Sequence, residues 1–335
     1  MMIKQYSCPG CGSNMSYDPA LGKLSCGHCG HSEDVVMDNE EDLGAALGND
    51  GKCYEYHCPN CGSVLIAEEK VCSVTCEYCD TPLILADRLS GNYRPQKIIP
   101  FKIDKKAAIA AFKKSCNGTF APSAFIKPKH LNEIRGMYVP YWLFNMKARV
   151  ILSGTATREK VSRRGDTEIT TISHYRVYRE GELSFANVPY DASEKMPDDE
   201  MARLEPFDFS EVKTFAMPYL TGFDSSQYDY DKEQIFKTAA NDLTKEAIKC
   251  IKGTIPSYKT LELPVQNVKF TSTENTYTLL PVWTLSTVYK GKKYQFMMNG
   301  QTGRVVGRGP LAKSKLLLLG GIVSAALYIM MLTMG

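Results

Sequence analysis

The sequence predicts an α+β chain: two small four-cysteine zinc ribbons, a β-rich α+β domain with signs of duplication, and one C-terminal transmembrane helix. Three observations predict it. Ten of the 12 cysteines lie before residue 80, eight of them in four Cys-x-x-Cys pairs. The middle of the chain alternates apolar and polar residues with period two. Near the end, residues 316–334, LLLLGGIVSAALYIMMLTM, hold no charge.

The ribbons come first. Cys8-Pro-Gly-Cys11 and Cys26-Gly-His-Cys29 are separated by 14 residues, as are Cys58-Pro-Asn-Cys61 and Cys76-Glu-Tyr-Cys79. Two pairs at this separation supply four thiolates that converge tetrahedrally on one zinc. The arrangement recurs 50 residues later, an internal repeat. Because the protein supplies all four ligands, no coordination position stays open, and both Zn2+ ions are expected to be structural. A glycine follows the second cysteine of three pairs (Gly12, Gly30 and Gly62), and Asp80 takes the fourth place. The knuckle needs a left-handed backbone there, which glycine adopts freely and aspartate tolerates. Cys53, Cys72, His28, His31 and His57 stand in or beside the ribbons as alternative ligands. The expected boundaries are 1–32 for the first ribbon, 33–50 for an acidic linker and 51–90 for the second ribbon.

Charge separates head from body. Residues 1–90 carry five bases against 14 acids, a net of −9, which leaves +12 for the rest of a chain whose total is +3. A nucleic-acid surface wants basic residues interleaved with aromatics, and this head is acidic. Protein is therefore the expected partner of the ribbons, and nucleic acid is not.

A β-rich cytoplasmic domain follows over 91–310. Asp104 reads as the N-cap of a helix that Gly118 ends, with Ala108, Phe112 and Cys116 on one face. Asp231 and Gln234 form a capping box for a second helix, whose stripe is Phe236, Ala240, Leu243, Ala247 and Ile251; Gly253 stops it. Strands are predicted at Ala148 to Ala156, Glu168 to Arg179, Val268 to Ser272, Tyr277 to Val288 and Lys293 to Met298. Pro140-Tyr141-Trp142 and Pro281-Val282-Trp283 open two of the apolar strands with the chain's only tryptophans, a sign of duplication. Asn299-Gly300-Gln301-Thr302-Gly303 reads as a turn with glycines at positive φ. No GxxxxGK[ST], HExxH or GxSxG pattern occurs, and His130 and His174 have no patterned partners. No catalytic residue is expected.

The segment 311–335 holds the apolar run. As a helix, its 19 residues would span about 28 Å, close to the hydrocarbon core of a bilayer. Arg304, Arg308, Lys313 and Lys315 precede it, so the bulk of the chain is expected in the cytoplasm, single-pass at the cell membrane. A reducing compartment favours metal over disulfides for the cysteines. Gly320 with Ser324, and Gly321 with Ala325, leave room for a partner helix and thus for an oligomer.

These features together resemble a group of uncharacterised bacterial, mostly Firmicute, membrane proteins with paired zinc ribbons. The likeness rests on CPGCG and CPNCG, Ile99–Phe101, Tyr138–Phe144, Leu280–Trp283 and Asn299–Gly303. Members are often labelled transcription factor IIB-like zinc ribbon proteins or primosomal helicases. A helicase needs a phosphate loop, and this sequence has none. Some members look like membrane partners of phage-shock-type envelope stress systems. The expectation is a membrane-anchored adaptor that recruits cytoplasmic proteins. The competing reading is a membrane-tethered nucleic-acid-binding protein of transcription or replication.

Overall fold

The computed structural model describes residues 2–37, 53–118 and 134–307, with positions 121, 122, 125, 309, 310, 312, 324 and 330. Among the described residues the fold is mostly β, 47% strand against 20% helix, which corrects the expected α+β class. Every predicted strand is present, but inside a longer one. Ala148–Ala156 lies within Arg135–Arg164, and Glu168–Arg179 within Thr167–Asp191. Val268–Ser272 and Tyr277–Val288 are parts of one strand, Thr260–Tyr289. In Ala148–Ala156 the alternation marks a stretch with one face in the core; Glu168–Arg179 is almost wholly exposed, and its strand signal comes from β-branched residues such as Ile169, Thr170, Thr171 and Ile172.

The transmembrane helix in the expected class is corrected too. Among the described residues no helix is long and apolar enough to cross a membrane. Residues 316–334, where that helix was expected, lie outside the described residues except Ser324 and Met330; so do 38–50 of the acidic linker, and His130.

The chain forms two compact units. The first comprises Met1–Pro140, Ser193–Asp229 and Thr278–Gly335; the second comprises Tyr141–Ala192 and Tyr230–Tyr277. In the first, the early ribbon has its own three strands, Met15–Asp18, Lys23–Cys26 and Ser32–Glu33. The later ribbon is divided. Tyr54–His57 and Val64–Ala67 pair alone, whereas Val71–Thr75 and Pro82–Leu85 are strands of the main sheet. There, Val71–Thr75 lies beside Asp224–Ser226, which pairs in turn with Met137 and Tyr138. The core above this sheet is aromatic. Phe101 stacks on Phe223 at 4.1 Å, and Tyr138 and Trp283 meet Phe101 edge-on.

The second unit is a long antiparallel hairpin under one helix. Pairing runs from Tyr141 opposite Asp191 to Arg164 opposite Thr167, around a two-residue turn with Gly165 at φ +62. The helix Lys232–Lys252 starts with the expected capping box and buries Ala239, Leu243, Ala247 and Ile251. Ile251 packs so close to Gly181 that a Cβ there would sit 2.6 Å from its Cδ1. In the first unit, Asp104 accepts from the Ala107 N–H at 2.7 Å and caps the helix Lys105–Gly118, which buries Ala108, Phe112 and Cys116.

One motif occurs in both units. Trp283 Nε1 donates to the Ile103 carbonyl, and Trp142 Nε1 to the Tyr230 carbonyl, each at 3.0 Å. Ile103 and Tyr230 each immediately precede the aspartate that caps a helix. Their own N–H groups donate to Gly300 and Ala192, the residues just after Asn299 and Asp191. Asn299 faces Val282, and Asp191 faces Tyr141, one residue before each tryptophan. The tryptophan blocks are thus equivalent anchors, and the halves are exchanged: the first helix works with the second hairpin, and the second helix with the first. Gly303 has the expected positive φ of +80, but Gly300 does not. Gly300 is needed for space, since a Cβ would sit 2.5 Å from the Phe101 ring.

Candidate metal centres

All four knuckles are closed by the same two backbone bonds. In each, the residue after the second cysteine donates its N–H to the first cysteine's carbonyl: Gly12 to Cys8, Gly30 to Cys26, Gly62 to Cys58 and Asp80 to Cys76, at 2.8–3.0 Å. The first cysteine's N–H donates onward to Ser13, His31, Ser63 and Thr81 at 2.7–2.9 Å. The turn demands positive φ, found at +74, +75 and +74 for the three glycines and +55 for Asp80. Local sequence suffices to build each knuckle.

The fold then brings the knuckles together in pairs. Cys8, Cys11, Cys26 and Cys29 form one group and Cys58, Cys61, Cys76 and Cys79 the other, with all sulfurs of a group within 4.8 Å of one another. Cys8 to Cys29 and Cys11 to Cys26 are both 3.5 Å; Cys58 to Cys79 is 3.7 Å and Cys61 to Cys76 is 3.8 Å. A disulfide needs about 2.05 Å. A tetrahedron with metal–sulfur bonds of about 2.3 Å has edges of about 3.8 Å. Each group therefore fits one metal ion, held by thiolates alone.

Polar neighbours divide the thiols of a group. Ser13 holds the Cys11 thiol down to about 5, and Thr81 holds Cys79 down to about 6. Ser63 lowers Cys61 in the same way. Burial pushes Cys58 up to about 11. Cys29 rises to about 12, where the bond from His31 is outweighed by sharing with Cys11 and Cys8. Like charges so close do not all ionise without a cation among them.

The alternative ligands take no part. Cys72 is buried, its thiol pushed up by burial, and it points at the Lys70 and Arg88 carbonyls. Cys53 is exposed and outside both groups, and His31 and His57 lie beside Glu33 and Glu55.

Sequence reasoning missed the supports. Thr81, buried, accepts from Asn14 of the first ribbon at 3.1 Å and from Asn60 of the second at 3.0 Å, while its hydroxyl lies 3.1 Å from Cys79. A signal was present: Ser13, Ser63 and Thr81 all stand two residues after a knuckle's second cysteine. Arg88, 1% exposed, had no such signal. Its guanidinium lies 4.1 Å from the centre of the Tyr54 ring, and its Nε donates to Tyr56 at 3.4 Å. Beside the ribbons opens a cleft of about 830 Å³, lined by Tyr17, Ile66, Glu77, Arg135 and Asp224 among others. Burial raises the Asp224 carboxyl, and the Arg135 charge opposes that.

No family model matches the chain, and neither does any solved structure. The uncharacterised protein YdjG of Bacillus subtilis (strain 168) is 40% identical over 315 residues, 94% of this chain and 92% of that protein. At that identity and coverage, the chain belongs to the YdjG family.

Proposed function

We propose that this protein is a non-catalytic adaptor whose two zinc-held ribbons recruit another protein. The observation that carries the reading is that both four-thiolate groups are closed, which leaves a bound metal no position for a substrate or water. Zinc is the metal proposed, because four thiolates in tetrahedral array suit it and leave it redox-silent. The head's charge of −9 argues against phosphate backbones, and the cleft beside both ribbons offers a concave surface.

The proposed location is the cytoplasmic face of the cell membrane, on the strength of residues 316–334 alone. A chain cut before Leu316 should appear in the soluble fraction after a high-salt wash, which strips peripheral contacts; retention would refute the location. The function is tested by crosslinking the full-length protein in cells beside a Cys8→Ser/Cys11→Ser variant. Defined protein crosslinks lost in the variant are expected. Salt-sensitive, nuclease-sensitive capture of nucleic acid through the ribbons would overturn the reading.

A further inference from the structure

We infer that the tip of the long hairpin in the second unit docks on an anionic lipid surface. The inference stands apart from the ribbons and from the apolar run. From Arg158 to Arg164, and from Thr167 to Arg176, every residue is exposed. A two-stranded ribbon with no buried face is marginal in water and gains from a surface to rest on.

Side chains alternate across such a ribbon, and the register sorts them. Arg158 faces Ser173, Lys160 faces Thr171, Ser162 faces Ile169 and Arg164 faces Thr167. That face therefore carries three bases and no acid, with Ile169 at its centre. At its base the Arg158 guanidinium lies 5.7 Å from the Tyr175 ring centre. The other face is mixed, with Glu159 and Glu168 against Arg163. Only one side is suited to an anionic surface.

A lipid headgroup layer and a nucleic-acid backbone both offer phosphate. Ile169 decides between them. It is 47% exposed at the centre of the cationic face, whereas Val161 and Ile172, 56% and 53% exposed, stand on the opposite, mixed face. A phosphodiester chain gains nothing from aliphatic groups, whereas the boundary between headgroups and acyl chains takes them up and also suits tyrosine. The charge of the whole chain agrees: anionic lipid attracts a body of +12 and repels a head of −9.

The test is amide hydrogen exchange on the full-length chain bound to vesicles, phosphatidylglycerol-containing or purely zwitterionic. Several-fold protection of residues 158–176 is expected on the anionic vesicles only. It should vanish in Lys160→Glu/Arg164→Glu and persist in Glu168→Gln on the opposite face. These positions are exposed, so unchanged melting will show that the variants fold. Equal exchange on both vesicle types would overturn the inference, as would protection that survives the charge reversal. Stronger protection by a DNA duplex would assign the arm to nucleic acid instead, and the lipid inference would fail.

Discussion

The two ribbons share one knuckle geometry but not one attachment. The first keeps three strands to itself and gives the main sheet only the two-residue edge strand Ile3–Lys4, beside Leu85 and Ile84. It also meets its unit through Tyr17, whose N–H reaches the Thr221 hydroxyl at 2.8 Å and whose ring meets Tyr219 at 5.2 Å. The second lends two strands to the main sheet. Gln227 donates to the Lys70 carbonyl at 2.7 Å, Ser73 and Ser225 share a bond of 2.6 Å, and Arg88 is buried behind them. Identical local chemistry therefore has unequal global weight. A metal in the first group would organise a module; in the second, it would organise a module and two inner strands of the main sheet.

The largest effect should come from breaking the second site. Cys58→Ser/Cys61→Ser should remove one metal per chain by elemental analysis and cost about 4 kcal/mol or more of unfolding free energy, since the sheet loses its support. Cys8→Ser/Cys11→Ser should also remove one metal, but raise hydrogen exchange in residues 8–33 while leaving 71–85 protected. If both variants loosen the main sheet equally, the contrast between the ribbons is wrong.

Arg88→Ala comes next, at about 2–3 kcal/mol by chemical denaturation, because it removes a desolvated cation–π contact and a hydrogen bond. Thr81→Val should cost about 1–2 kcal/mol, leaving the amides of Asn14 and Asn60 without their shared acceptor. The double variant Asn14→Ala/Thr81→Val should cost less than the two single changes added together. Smallest are the knuckle backbones. Gly62→Ala should cost about 1–2 kcal/mol through its left-handed φ, while Asp80→Gly at the equivalent place should change stability by less than about 1 kcal/mol.

Legibility differed by region for physical reasons. The knuckles and both helix starts were plain, because a turn of five residues or a capping box is closed by its own neighbours. The expected stripe of the second helix was close to right: Leu243, Ala247 and Ile251 are buried, but Ala239 rather than Ala240 completes them. Arg88 was not legible, since Tyr56 lies 32 residues away and no spacing rule links them; the place of Thr81 was legible from its spacing after Cys79, but its bond from Asn14, 67 residues away, was not. The long strands were seen only in part: on one arm of the hairpin alternation fades where it leaves the core beyond Arg158, while the exposed arm Glu168–Arg179 was marked by its β-branched residues.

By itself the sequence determined the eight clustered cysteines, the left-handed residue in each knuckle, the two capped helices and the matching tryptophan blocks. These depend on bonds among residues adjacent or nearly adjacent in the chain. Only the tertiary structure decided which knuckles pair, that one ribbon gives two inner strands to the main sheet while the other gives only the edge strand Ile3–Lys4, and that each tryptophan anchors the helix of the other half. Those outcomes depend on contacts such as Trp283 with Ile103, 180 residues apart, whose worth exists only once the intervening chain has folded.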